Sequence, residues 1–124
     1  MSVSQTFRNL VLDQLGRTAP DIRAKNMFGG VGIYQGNWFF ALVAEDRLYL
    51  KVDDSNRGDF EALGMQPFQP FADRPGTMQY YELPLEIIEN ATALQPWVDK
   101  SIAVAERAAI AKKPRKPNSA ARKK

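Results

Sequence analysis

The chain contains no cysteine and no histidine. The first absence excludes disulfides and thiolate chemistry. The second removes the commonest general base together with the commonest metal ligand. An enzyme built on this sequence would have to work through Asp, Glu, Lys or Tyr alone, and no cluster of those residues stands out. No catalytic centre, metal site or cofactor is therefore expected. No apolar run approaches the roughly 20 residues needed to span a bilayer, and the first residues lack the basic, apolar, small-residue order of a leader. A cytoplasmic protein without membrane contact is the expectation. Acidic residues are missing from the C-terminal segment, where Lys112, Lys113, Arg115, Lys116, Arg122, Lys123 and Lys124 occur unopposed.

That asymmetry explains the net charge of +3. Removing those seven cations from the seventeen basic residues leaves ten against fourteen acidic ones, an acidic body carrying a strongly basic appendage. Two prolines amid lysine, arginine, serine and alanine give residues 112–124 too little apolar content to fold, so they are expected as a disordered basic tail after a domain of residues 1–111. With 124 residues, 44% hydrophobic and 25% charged, the chain suits one soluble domain.

The organising stretch is residues 27–52, which predicts three consecutive antiparallel strands. Trp38, Phe40 and Leu42 alternate with Phe39, Ala41 and Val43, and Leu48, Leu50 and Val52 alternate with Tyr49 and Lys51. Gln35-Gly36-Asn37 and Glu45-Asp46 supply the reversals. Residues 24–34 are expected as one strand, kinked by Gly29, Gly30 and Gly32.

Val3, Phe7, Leu10, Val11 and Leu15 predict a first helix capped by Ser2 or Ser4 and stopped by Gly16. Asp53, Asp54 and Ser55 offer caps for a short helix with Phe60 and Leu63 facing inward and Gly64 at its end. Pro67 and Pro70 reduce residues 65–71 to a short edge strand, residues 73–76 read as a turn, and residues 77–83 alternate again. The last helix is expected to begin between Asn90 and Pro96, with Thr92 and Gln95 as a capping box, and to bury Val98, Ile102, Ala105 and Ala109. The order α-β-β-β-α-β-β-α defines an α+β domain: a two-layer arrangement with an antiparallel sheet of about five strands and helices mainly on one face.

Four clusters invite a chemical reading, and each has a plainer one. GGVG lacks the third glycine of a dinucleotide fingerprint and precedes a strand, so backbone geometry explains it better than phosphate binding. Asp53-Asp54 could form a magnesium site, but carboxylates at a helix start are accounted for by capping. Tyr80-Tyr81 and Trp38-Phe39-Phe40 could stack on bases, although adjacent strand residues point to opposite faces and half of each set belongs to packing. Lys25, Arg47 and Lys51 are cations that a sheet could bring together, or solvated strand positions.

The residues that carry a resemblance are Met27-Phe28-Gly29-Gly30 with Gly32 and Tyr34, then Leu48-Tyr49-Leu50-Lys51-Val52-Asp53, then Pro67-Phe68 and Tyr80-Tyr81. In this order and spacing, over roughly residues 7–109, the chain resembles the N-terminal domain of the TfoX/Sxy family of competence regulators. The resemblance implies a compact α+β domain without catalytic machinery. It also implies transcriptional co-activation through contacts with a protein partner, a transcription factor such as the cyclic-AMP receptor protein or a polymerase-associated protein. The full-length regulators carry a second, helical domain where this sequence has its basic segment. The alternative is a nucleic-acid-associated protein binding non-specifically through that segment. Aromatics on both sheet faces, with helices enough for one, also raise the expectation of a homodimer.

Overall fold

The computed structural model describes residues 4–27, 30–68 and 79–112. Helix α1 (Gln5–Thr18) starts where Ser4 Oγ accepts the Phe7 N–H at 3.1 Å. Gly16 does not stop it. That glycine is exposed with open space around it, so it costs propensity only, and the helix runs on until Thr18 Oγ1 and the Ala19 N–H both donate to the Leu15 carbonyl.

Strands β1 (Ile22–Met27) and β2 (Gly30–Gln35) replace the single kinked strand expected over residues 24–34. They pair antiparallel from Ile22↔Gln35 to Met27↔Gly30, with only two residues between the strands. Apolar alternation on both sides of a glycine pair fits one long strand or a tight hairpin equally, and the hairpin forms because it closes a full ladder. Strand β3 (Trp38–Ala44) follows Gly36, which takes φ +59°, and β4 (Arg47–Lys51) follows Glu45 and Asp46 at φ 53° and 57°. Both left-handed residues in a two-residue loop define the tight turn that matches strand twist.

Helix α2 (Arg57–Ala62) lacks the expected carboxylate cap. Asn56 holds the cap position with its side chain buried, accepting the Asp53 N–H at 2.9 Å and donating to the Lys51 carbonyl at 3.2 Å. The helix ends at Gly64 as expected, with Met65 N–H donating to Phe60 O and Gly64 N–H to Glu61 O. Phe60 is buried, but Leu63 is exposed because it already lies past the last helical turn.

Among the described residues, the segment after α2 makes a single bridge, Pro67↔Tyr81, flanking strand β5 (Tyr80–Glu82); residues 69–71 of the expected edge strand lie outside the described residues. The turn expected at residues 73–76 lies outside the described residues. Helix α3 (Leu85–Ile88), not anticipated, leads into α4 (Ala91–Lys112). Asn90 Oδ1 caps α4 by accepting the Ala93 N–H, and no Thr92/Gln95 capping box forms, because Gln95 Nε2 donates instead to the Thr18 carbonyl and Asp99. Pro96 sits exposed within α4.

The sheet is five-stranded and antiparallel in the order β1-β2-β3-β4-β5, confirming the α+β class, while the element order is α-β-β-β-β-α-β-α-α. One face carries Val31, Ile33, Val43, Leu48 and Leu50 into a core closed by Val11 and Leu15 of α1, Phe60, Ile88, and Leu94 and Val98 of α4. All four helices contribute to this core or its margins, so the helices cover one face. The buried stripe of α4 is Leu94, Val98, Ser101, Val104 and Ala105; Ile102 and Ala109 are half-buried beside it.

Candidate functional site

A register shift between Ile33 and Tyr34 decides which aromatics leave the core. Ile33 pairs with Ala41 and Tyr34 with Phe39, so Phe40 is the extra residue of a bulge. The strict alternation expected over residues 38–43 therefore fails in the middle of β3. Trp38 and Phe40 join Ala41 and Val43 on the core side, while Phe39 joins Leu42 and Ala44 opposite.

The face opposite the helices is thus aromatic and continuous. Tyr34 stacks on Phe39 with centroids 5.0 Å apart and planes at 25°. Phe39 reaches Tyr80 at 5.6 Å, Lys51 Nζ lies 4.8 Å from the centre of the Tyr80 ring, and Tyr49 packs on Phe68 at 4.8 Å. The ammonium over a ring face is an attractive cation–π contact. Strand alternation places Gly30 and Gly32 on this same face, opposite in sense to buried Val31 and Ile33. A side chain at Gly30 would come within 2.3 Å of the Val43 carbonyl oxygen, so glycine there lets β2 lie flat on β3.

Cations frame the aromatics. Arg23 and Lys25 pair across from Tyr34 and Gly32, and Arg47 lies 3.6 Å from the Glu82 carboxylate. The three cations singled out in the sequence, Lys25, Arg47 and Lys51, are brought to one face, with Arg23 added. Burial is the main cause of the Tyr80 phenol being pushed up to about 12, the neighbouring Tyr34 phenol adding to it. Tyr49 is also raised, by burial first and Glu82 second.

The blocks that carried the resemblance divide between two jobs. Leu48 is fully buried and Tyr81 packs against Phe60 with its hydroxyl donating to Glu61, while Pro67 makes the bridge to β5. Gly30, Gly32, Tyr34, Tyr49, Lys51, Phe68 and Tyr80 converge on the outer face. Phe28 and Gly29 lie outside the described residues, and Met27 ends β1. Phe39 and Leu42 belong to the outer face too. The bulge that sets them there leaves no mark in a period-two pattern.

Asp53 occupies the rim of a second feature, a cleft of about 450 Å³ lined by Lys51, Val52, Asp53, Asp54, Arg57, Gln79, Val104, Arg107 and Ala108. Arg107 donates to Asp53 Oδ2 and to Ser55 Oγ, each at 2.9 Å, and Arg57 donates to Asp54 and Gln79. Hydrogen bonds from Ser55 and then Arg107 hold the Asp53 carboxyl down at about 2. Each carboxylate here neutralises an arginine, which is structural chemistry. Among the described residues no group of three or more acidic side chains could hold a metal ion, and no helix is long and apolar enough to cross a membrane. Of the basic residues from Lys112 onward, Lys112 is the last residue of α4, and the rest lie outside the described residues.

A four-helix layer on one side of an antiparallel sheet, with an aromatic and cationic opposite side, defines a small α+β domain whose distinctive surface is a sheet face. The TfoX N-terminal domain model matches residues 13–105 of the 124-residue chain, and the chain belongs to that family. None of the curated proteins matches it significantly.

Proposed function

We propose that this TfoX N-terminal domain is a non-enzymatic regulatory adaptor. It acts in transcriptional regulation of the competence type through protein–protein contacts, and the outer sheet face is the contact surface. One observation carries the proposal: seven residues of the family blocks, scattered from position 30 to position 80, meet on one face that the helices leave uncovered. Half-buried Tyr34, Phe39, Tyr49 and Phe68, set around buried Tyr80 and among cations, suit a protein interface, where Tyr, Phe and Arg are enriched and supply rigid contact area. The partner class is a transcription factor or a polymerase-associated protein, and a second copy of the chain is the other candidate occupant.

The test compares transcript profiles of cells expressing the full chain with cells expressing Tyr34→Ala/Phe39→Ser, after showing that the variant stays folded. Loss of the regulated transcripts in the variant supports the proposal. A variant whose transcript profile matches that of the full chain contradicts it.

A second reading gives the basic C-terminal segment a role in non-specific nucleic-acid binding. It is favoured by the charge division, with an acidic body that a phosphate backbone would repel. Full engagement of seven cations gives a log–log salt slope of about −6 on duplex DNA, absent from a chain ending at position 111.

A further inference from the structure

The two edges of the sheet differ. On β5, the segment before it is already seated: Phe68 N–H donates to Tyr80 O at 2.7 Å and Glu82 N–H to Gln66 O at 3.1 Å. On β1, no described residue pairs with the far side. The phase of the ladder fixes which groups face outward. Gly36 N–H donates to Asp21 O, so residues 21, 23, 25 and 27 bond toward β2, and antiparallel alternation turns the N–H and C=O of Ile22, Ala24 and Asn26 away from it. Among the described residues, these three present an open row of six backbone groups.

The side chains state what could fill that row. Arg23 and Lys25 are exposed on the outer face, Arg23 donating to the Asp21 carboxylate at 2.9 Å, and Ile22 and Ala24 are half-buried against the core on the other. A second copy is a poor fit. The two-fold pairing that uses the whole strand centres on Ala24 and sets Arg23 opposite Lys25 of the other copy, twice, and like charges directly opposite are destabilising. Carboxylates two residues apart on an extended segment would meet Lys25 directly and share Arg23 with Asp21, with a small apolar residue between them over Ala24.

We infer that β1 is a docking edge for an extended acidic segment of a protein partner, which adds as a sixth strand with acidic side chains beside Arg23 and Lys25. This rests on the adaptor reading, in that the occupant is protein. Main-chain hydrogen bonds supply affinity in such strand addition and the alternating side chains supply selectivity. The cations then serve twice, against self-pairing and for the partner.

The probe is a synthetic octapeptide alternating glutamate with valine, titrated into the full chain, with the lysine–valine peptide as its counterpart. The glutamate peptide should bind on the order of tenfold more tightly than the lysine peptide, shifting the amide resonances of Ile22, Ala24 and Asn26. Arg23→Glu/Lys25→Glu should reverse the preference. Ala24→Pro removes an outward N–H without touching the β2 ladder and should abolish binding. Should that variant fail to fold, glutamate peptides N-methylated on one edge or the other give the same test with the protein intact: one methylated edge must abolish binding and the other spare it. Equal affinity for both peptides, or binding indifferent to methylation of either edge, overturns the inference. The adaptor reading fails separately, through unchanged transcripts with the Tyr34→Ala/Phe39→Ser variant.

Discussion

Phe40 and Ala41 are adjacent in a β-strand, yet both side chains are fully buried on the same side of the sheet. Neighbours in a regular strand face oppositely, so the pair marks the bulge that sends Phe39 outward, where it stacks on Tyr34 and meets Tyr80 at a tilt of 42°. The core and the outer face are therefore set by one inserted residue.

Phe40→Ala should destabilise the domain by about 3–5 kcal/mol, the range for deleting a buried phenylalanine. That is a large part of the roughly 5–15 kcal/mol available to a domain. Phe39→Ala, on the half-buried face, should cost clearly less. Urea titrations of the two variants check the ranking, and equal losses would contradict the bulge.

Gly30→Ala places a methyl group against the Val43 carbonyl oxygen, a backbone atom that cannot swing aside. Because β2 must shift off β3 to make room, a loss of about 2 kcal/mol is expected, within the range for overpacking. Thermal unfolding measures it, and a neutral result would show that the strands separate at no cost.

Glu45 lies exposed at φ 53°, a conformation that asparagine tolerates better than glutamate. Glu45→Asn should raise stability by about 0.5 kcal/mol through relief of that strain. Asp46 is a different case, since its Oδ1 accepts the Ser4 N–H at 2.6 Å and ties the start of α1 to this turn. Substituting it by glycine relieves φ but breaks the tie, and should give no net gain.

Asp53 has a folded-state pKa depressed to about 2 against an ordinary value of 3.8. The ionised form is the stabilised one, so its contribution is complete above the ordinary value and disappears as pH falls from about 4 to about 2. The side chain is 39% exposed, and solvent screening reduces the effect to about 1 kcal/mol or less. Denaturant midpoints across that pH window should fall less steeply for Asp53→Asn than for the parent. The two curves should converge at the acid end.

Much of this architecture is legible in the residues. Leu48 and Leu50 announce a half-buried strand, Glu45-Asp46 and Gln35-Gly36-Asn37 its reversals, and Ser4 and Gly64 true helix boundaries. Other features depend on tertiary partners. The hairpin at residues 27–30 looks like one strand because its apolar period continues through the glycines. Gln95 looks like half of a capping box, but Thr18 and Asp99 claim its amide. Phe39 cannot be assigned to a face without knowing that Phe40 is a bulge. For the site, Lys25, Arg47 and Lys51 are legible as cations that a sheet could gather, and Tyr34, Tyr49 and Tyr80 as members of the family blocks. Their meeting on one face requires the register of all five strands.

The outer sheet face is proposed to meet a protein partner. A photo-crosslinking residue placed at Tyr34 in the full chain, in its own cells, tests it most directly, with the same group at Glu106 on the exposed side of α4 as control. Cross-links to a transcription factor or polymerase-associated protein from position 34 and not from position 106 are the predicted result. Equal labelling from both positions, or none from position 34 while the regulated transcripts still respond, would contradict it.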